Sequence, residues 1–338
     1  MDNLSHSLTG LALSRAGLNR FSPHATALLL LSANAPDIDI LAATRGGLAY
    51  LEAHRGYTHC FLVLPFLAAV PVLIIAGISR KRLPWFNAWM LCCAGVASHL
   101  IMDWTNSFGV RLLLPFSSRW FYLDLNSLYD GWILAVLAVA AVWPVFARLV
   151  SNEIGARPEA GRGIAVFALA FFVLFDCGRA ALHARAIAQL NSRLYDNAPP
   201  LQAAALPEPF TPFEWTGIVE TSGDYRDAEL DALGQPDFEH GRTWYKIPLT
   251  QSLENAKATE PFRYFLYFAR FPVWSVTPVI MPDGKQAKRI ELTDLRFGIP
   301  GAGSFHCIAF EDSEGQVMDS LFTFGSGRNL GRGPNSDN

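Results

Sequence analysis

The chain has 338 residues, of which 51% are hydrophobic and 17% charged, with a net charge of −3 and a mean hydropathy of +0.21. Nucleic-acid binding requires a basic surface stripe, so this balance gives no reason to expect a nucleic-acid partner. The five cysteines form no CxxC pair, which argues against a zinc ribbon and a disulfide framework.

The first 190 residues are predicted to form an α-helical membrane domain. The N-terminal MDNLSHSLTG lacks the basic region and the cleavage site of a signal peptide, so we expect none. Two apolar helices, about residues 4–16 and 24–35, are too short to cross a bilayer core of about 30 Å and predict a hairpin that dips into it. Four longer apolar runs predict spanning helices at residues 60–78, 86–105, 129–149 and 163–183.

Beyond residue 200 the pattern changes to short β-branched and aromatic runs separated by Gly, Pro and Asp. This pattern predicts a smaller, mainly β extramembrane domain over residues 200–325. The runs are FEWTGIVE, TWYKIPL, RYFLYFAR, VWSVTPV, KRIELTDLRF, SFHCIAFE and SLFTF. Residues 326–338 contain too few apolar side chains to pack and are predicted to be disordered.

Basic residues in short loops predict the orientation, because such loops stay in the cytoplasm. The sequence RKR at residues 80–82 follows the first predicted span, and three arginines lie between residues 148 and 162, after the third. Both loops are therefore predicted to be cytoplasmic, and the β domain is predicted to lie on the outer face. Four arginines in the outer loops oppose this bias and make it modest.

Ionisable residues that are rare in membrane segments recur at the outer ends of these predicted spans. In this topology they gather on one membrane face, which His6 joins if the N-terminal hairpin opens outward. An unpaired ionisable group inside a bilayer costs about 2.5–3.5 kcal/mol, so such residues are functional candidates by default. The set comprises His6, Asp37, Asp39, His54, His59, His99, Asp103, Asp124 and Asp130.

Each motif also has a structural interpretation. His99 and Asp103 lie one helical turn apart and could simply bond to one another. PDID could be a turn in which Pro36 ends one helix and the aspartates cap the next segment. HRGYTH could be a glycine turn with an interfacial histidine pair and Thr58 as a helix cap. Because all three would have to hold together on one membrane face, we favour a functional cluster.

Imidazole and carboxylate ligands suit zinc, manganese or iron, and the absence of paired thiolates argues against a structural zinc knot. The set holds more ligands than one tetrahedral ion uses, so one or two divalent ions are predicted. Two ions about 3.5–4 Å apart would clamp the attacking and leaving oxygens of an ester during hydrolysis. Arg55 could grip a phosphate with two nitrogens. An ion pair of Arg55 with Asp37 or Asp39 is an equally open alternative.

The segments SHSLTG, PDID, HRGYTH and SHLIMDWTNSFGVRLLLPFS, followed by LYDG, resemble the YdjM-like family of membrane-bound metal-dependent hydrolases over about residues 1–180. The resemblance implies a multi-pass protein of the bacterial inner (cytoplasmic) membrane. Cys60 departs from the family pattern, in which serine usually follows the second histidine. The metal ligands that the resemblance implies are His6, Asp37, Asp39, His54, His59, His99 and Asp103.

The motif order is also distantly similar to zinc-dependent phospholipase C and its related single-strand nucleases, which favours a phosphoester substrate. We therefore predict a membrane hydrolase that uses metal-activated water on a phosphoester, with a membrane lipid as one candidate. Zinc is the first choice of metal, with manganese and iron as alternatives. Arg55, Asp39 and Asp130 are the predicted catalytic residues. The alternative is a non-catalytic metal-binding transporter or scaffold whose β domain recruits a partner, since only a catalytic site keeps an open coordination position.

Overall fold

The computed structural model describes residues 1–79, 82–154, 161–234 and 237–324, with no side-chain description for residues 150–154. Its N-terminal part is helical and its C-terminal part contains two antiparallel sheets, so the predicted fold class is confirmed. The limits predicted for the two domains stay a prediction. Several residues used in the sequence predictions, Arg80, Lys81, Arg157 and the tail 326–338, lie outside the described residues.

Eight α-helices occupy the described part of the first 191 residues. They are α1 (Asn3–Arg15), α2 (Ala25–Asn34), α3 (Gly47–Ala53), α4 (Leu64–Leu67), α5 (Ala69–Ile78), α6 (Trp85–Trp104), α7 (Gly131–Ile154) and α8 (Arg162–Asn191). Short 3-10 helices lie between them at Leu18–Phe21, Ala35–Arg45 and Tyr57–His59.

Four candidate membrane spans are present among the described residues, which is the number predicted, but one of them differs from the prediction. They are Ala25–Arg45, Trp85–Trp104, Gly131–Leu149 and Arg162–Asn191. Helix α2 agrees with the predicted bounds of about 24–35, but the prediction that this segment is too short to cross a bilayer is wrong, because the 3-10 helix Ala35–Arg45 continues it. Pro36 fits the first turn of that 3-10 helix, where its missing N–H is not needed.

The predicted span at residues 60–78 is instead divided into α4 and α5, which together with the preceding segment form one bent unit. Gly47–His59 and Leu64–Ile78 meet at 90° and would make a fifth, broken span. Pro65 and Pro71 lie in the first turns of α4 and α5, where a helix tolerates proline. The two prolines therefore favour two short helices over one continuous helix.

The described residues of the C-terminal part form two four-stranded sheets with antiparallel neighbours, in the orders β1-β2-β3-β4 and β5-β6-β7-β8. Helices α9 (Gln251–Ala258) and α10 (Glu260–Phe268) connect the two sheets along the chain. The strands are β1 (Gln202–Pro207), β2 (Glu214–Glu220), β3 (Asp224–Asp231), β4 (Thr243–Tyr245), β5 (Pro272–Ile280), β6 (Gln286–Asp294), β7 (Phe305–Glu311) and β8 (Val317–Phe324).

The prediction that RYFLYFAR is a strand is wrong, because this segment belongs to α10. Its buried residues Phe262, Phe265 and Phe268 recur every third position, which is a helical period, and Pro261 lies in the first turn. Strands β1 and β3 were not predicted, since one is rich in alanine and the other in charged residues.

The β part packs against the helical part through an apolar core. Leu51 of α3 and Phe108, in the loop after α6, share one buried cluster with Phe265, Phe268 and Phe322. Burying aromatic side chains stabilises such contacts strongly, since each fully buried one contributes about 1.5–3 kcal/mol. The loop that follows α6 is therefore held between the membrane helices and the second sheet.

Candidate metal centre

Four ionisable side chains converge from three separate segments. Asp37 comes from the 3-10 helix that extends α2, His59 from the 3-10 helix before α4, and His99 and Asp103 from α6. One ligand atom from each residue lies within 4.8 Å of the others. His59, His99 and Asp103 are buried, and Asp37 is half-buried.

Five of the six distances between these four atoms fit a tetrahedral metal ion, and the sixth, between the Asp37 and Asp103 oxygens, is within 4.8 Å. The Nε2 atoms of His59 and His99 are 3.1 Å apart, and Asp37 Oδ1 lies 3.6 and 3.5 Å from them. Asp103 Oδ2 lies 3.3 Å from His59 Nε2 and 3.4 Å from His99 Nε2. A tetrahedron with zinc–ligand bonds of about 2.0–2.1 Å has edges of about 3.3–3.4 Å. The observed separations bracket this value.

The hydrogen bonds on the far side of each imidazole ring direct both Nε2 atoms toward this cluster. His99 Nδ1 donates to the carbonyl oxygen of Ala33 at 2.7 Å. His59 Nδ1 lies 3.2 Å from Asp39 Oδ2 and 2.9 Å from the Thr58 hydroxyl. A proton on Nδ1 leaves a lone pair on Nε2, which is the form that binds metal. In this form two lone pairs and two carboxylate oxygens face one another, an arrangement that favours a cation between them.

A close crossing of α2 and α6 positions the Ala33 carbonyl beside His99. Gly95 lies one turn before His99, and a Cβ atom there would be 3.0 Å from Ser32 Cβ and 3.3 Å from the Ala33 nitrogen. No side chain larger than hydrogen fits this contact without displacement. The helical repeat then places His99 and Asp103 on the same face.

Asp39 lies behind the donor atoms. It accepts a bond from the Arg55 backbone nitrogen at 2.9 Å and one from the Thr58 hydroxyl at 3.1 Å, and it lies 3.0 Å from His54 Nδ1. Together with the contact to His59, these bonds occupy the carboxylate with orienting partners. The structure therefore places Asp39 and His54 next to the donor set and outside it.

Arg55 is bound to Asp103, not to Asp37 or Asp39 through its side chain. One guanidinium nitrogen donates to Asp103 Oδ1 at 3.0 Å and the other to Asn106 Oδ1 at 2.8 Å, and the group stacks over the Phe108 ring at 4.8 Å. Its backbone has φ +53°, a strained left-handed conformation for a residue with a side chain. Such strain is typical of a functional site.

His6 lies against the cluster without joining the four donors. Its ring stacks on His99 with centroids 3.7 Å apart, and its Nε2 lies 3.4 Å from Asp103 Oδ1, an oxygen that the Met1 amine also contacts. Neither ring nitrogen of His6 has a hydrogen-bond partner among the described residues. A buried imidazole whose nitrogens make no hydrogen bond is rare, so His6 is a candidate for an additional ligand of the site.

Asp130 has contacts of a different kind. Its Oδ1 accepts from the backbone nitrogens of Trp132 and Ile133 at the start of α7, and its Oδ2 accepts from Arg179 at 3.1 Å. These are the contacts of a helix cap with a buried ion pair. The catalytic role predicted for Asp130 stays a prediction without a described contact to the donor set.

Asn106 was not identified from the sequence, although it orients Arg55. Its side-chain oxygen also accepts from the Phe108 backbone nitrogen at 2.9 Å, which fixes the turn after α6. One feature of the sequence could have indicated Asn106. It lies three residues after Asp103, in the polar segment DWTN at the end of an apolar helix. Thr58, interpreted from the sequence as a helix cap, instead binds Asp39.

The fold and these contacts define a polytopic helical membrane protein with a buried His/Asp site that could hold a metal ion. The chain belongs to the family described as YdjM inner membrane protein, which matches residues 1–185. This confirms the family resemblance predicted from the motifs.

One curated relative, "Uncharacterized protein YfhP" of Bacillus subtilis (strain 168), is 27% identical over 154 residues. The match covers 42% of this chain and 46% of that protein, so it spans about half the length of the relative. No solved structure matches the chain.

Proposed function

We propose that this protein is an integral membrane hydrolase that holds a divalent metal ion at Asp37, His59, His99 and Asp103 and cleaves a phosphoester. The observation that carries the proposal is the convergence of two imidazole Nε2 atoms and two carboxylate oxygens at one buried point. A site of this kind in a buried position needs a cation for stability.

A divalent ion in this site would supply the positive charge that lowers the pKa of water and polarises a phosphoryl oxygen. The side chains around it have separate roles. Ala33 and Asp39 orient the two imidazole rings. Arg55 neutralises part of the charge on Asp103 and presents a buried guanidinium whose Nε has no hydrogen-bond partner among the described residues. That cation is suited to an anionic phosphoryl group.

The non-catalytic alternative is favoured by one specific observation, the presence of four protein donors. Four ligands complete a tetrahedral zinc shell, which is typical of closed structural sites, whereas catalytic zinc usually has three protein ligands. A hydrolase requires a further position, either on a metal that accepts more than four ligands or through His6 at a second ion. Metal identity therefore separates the two functions.

The test uses the full-length protein purified in detergent, with metal content measured per chain and hydrolysis assayed on bis-p-nitrophenyl phosphate with zinc, manganese or iron. We expect bound metal and turnover in the wild type, and loss of both in His99→Gln. His24→Gln is the matched control, since His24 lies before the first residue of α2, at the opposite end from the cluster, and its side chain contacts Ser79. Bound metal without turnover of any phosphoester would favour the structural alternative. Absence of metal would refute both.

We also propose that the candidate site and the β part lie on the outer face of the inner membrane. Asp103 is near the end of α6, α7 begins at Gly131, and α8 ends at Asn191, so an alternating path brings these three points to one side. The basic loop at residues 80–82 and the arginines after α7 favour the cytoplasm for the other side. A single cysteine at position 240 in a cysteine-free chain should react with an impermeant maleimide in intact spheroplasts. Reaction only after membrane disruption would reverse the orientation.

A further inference from the structure

A cavity of about 530 Å³ lies directly beside the candidate metal centre. Its polar wall includes Asp37 from the donor set, His54, Arg55 and Asn106. Cavities that bind small molecules have volumes of about 300–1,000 Å³, so this one is large enough for a headgroup and too small for a whole diacyl lipid.

The β part closes the opposite wall of the cavity. This side is lined by Pro207 of β1, by Phe297 of the 3-10 helix Leu295–Phe297 that follows β6, and by Phe305 at the start of β7. Arg296 holds the wall to the helical part, because its guanidinium donates to the carbonyl oxygens of Ser107 at 2.9 Å and Phe108 at 3.2 Å. The C-terminal part is thus joined to the loop after α6 and completes the cavity.

The rim of the cavity is apolar and exposed. It contains Leu4 of α1, Ile40 of the 3-10 helix after α2, and Leu128 and Tyr129 before α7, each with 46–62% of its surface accessible. Four large apolar side chains from three separate segments form a patch that is unfavourable in water, and such patches mark sites of lipid or ligand contact. In a membrane protein, this rim offers a path between the cavity and hydrocarbon.

We propose that the cavity binds an amphiphilic phosphoester, with its anionic headgroup beside Arg55 and Asp37 and its hydrocarbon chain leaving across the rim of Leu4, Ile40, Leu128 and Tyr129. This proposal deepens the proposed function and names its substrate class. The membrane-facing apolar rim distinguishes this cavity from a site for water-soluble esters. Such esters have no hydrocarbon chain that could contact the exposed leucine and isoleucine side chains. The proposal also gives the β part a role as the second wall of the substrate site.

Ile40 and Ile38 form a matched pair for the test. Both lie on the same 3-10 helix, and 57% and 54% of their surfaces are exposed, but Ile40 lines this cavity and Ile38 lines a different one. Ile38 lies between Asp37 and Asp39 and Ile40 follows Asp39, so a nonspecific disturbance of the site should be at least as large in Ile38→Asn. Ile40→Asn and Ile38→Asn therefore differ mainly in the rim.

The first measurement does not depend on activity. A phosphatidylglycerol analogue with a diazirine near the start of one acyl chain is photolysed with the wild-type protein in nanodiscs, and labelled peptides are identified by mass spectrometry. We expect labelling at Ile40 or at residues 128–129, reduced in Ile40→Asn and retained in Ile38→Asn. Labelling confined to the outer surfaces of α7 and α8, or equally reduced in both variants, would overturn the proposal.

The second measurement is the ratio of kcat/KM for dioleoyl phosphatidylglycerol in mixed micelles to that for bis-p-nitrophenyl phosphate. We expect Ile40→Asn to lower this ratio about 10-fold or more, the effect of lost apolar contacts, and Ile38→Asn to leave it unchanged. Labelling of the rim without hydrolysis of either ester would refute the proposed hydrolase function but support a binding site for an amphiphile. Hydrolysis with no rim labelling and an unchanged ratio in Ile40→Asn would refute the amphiphile site alone.

Discussion

Exchanging Asp37 and Asp39 for asparagine, one at a time, separates a carboxylate that faces the donor atoms from one that orients them. The substitutions keep the size of the side chain and remove its charge. Asp37 Oδ1 faces the Nε2 atoms of His59 and His99, whereas Asp39 faces the other side of His59. We therefore expect the two variants to rank differently in the two assays. Asp37→Asn should lose more metal affinity, and Asp39→Asn should lose more stability.

Metal affinity should fall more in Asp37→Asn. Structural zinc sites bind with about 10–16 kcal/mol from four ligands, or roughly 3 kcal/mol for each ligand, which corresponds to about a 100-fold to 1,000-fold loss. Loss of an orienting partner such as Asp39 typically lowers metal affinity about 10–100-fold. Competition with a chromophoric chelator on the purified proteins measures both affinities.

Stability of the metal-free protein should fall more in Asp39→Asn. Asp39 has four polar partners between 2.9 and 3.2 Å from its two carboxylate oxygens. In asparagine an amide nitrogen replaces one of these oxygens and faces partners that donated to it. An unsatisfied buried donor costs about 1–3 kcal/mol. Asp37 Oδ2 has no hydrogen-bond partner among the described residues, so its replacement costs less. Unfolding in SDS with excess chelator measures this difference, and the reverse order in both assays would refute the assignment.

Two further substitutions test the supporting contacts. Gly95→Val should separate α2 from α6 and lower metal affinity without changing a donor, at a stability cost of about 1–3 kcal/mol, while Gly178→Ala, which meets no atom within 4 Å, should leave metal titrations unchanged. Arg55→Gln should lower the free energy of unfolding in SDS by about 1–3 kcal/mol, because it removes the guanidinium bond to buried Asp103 and leaves the Met1 amine as the remaining cationic contact. Wild-type stability in Arg55→Gln would contradict the described ion pair.

The sequence was sufficient to predict the membrane helices and a mainly β second part. Apolar runs of about 20 residues are typical of spanning helices, and the predicted spans at residues 86–105, 129–149 and 163–183 correspond to α6, α7 and α8. The division of residues 60–78 into two helices was not predicted. Hydropathy measures the length of an apolar run, but it does not detect the helix starts that Pro65 and Pro71 favour.

The sequence could not separate the roles of Asp37 and Asp39, because that separation depends on an unpredicted 3-10 helix. Residues two apart on such a helix differ by about 120° around its axis, since it has three residues per turn. One carboxylate therefore faces the donor atoms and the other faces His54 and the Nδ1 side of His59. A turn, as the PDID pattern suggested, would have given no such fixed angle.

The charges at the site explain why these residues occur together in a membrane protein. Among the side chains, Asp37, Asp39 and Asp103 contribute three negative charges and Arg55 one positive charge, while imidazoles that bind metal are neutral. An uncompensated charge away from water costs several kcal/mol, so the remaining side-chain charge of −2 is unfavourable at this depth. The Met1 amine, which contacts Asp103, offsets part of this charge, and a bound divalent ion would compensate the rest. Without the Arg55 guanidinium the side-chain charge would be −3, which is more than one divalent ion compensates.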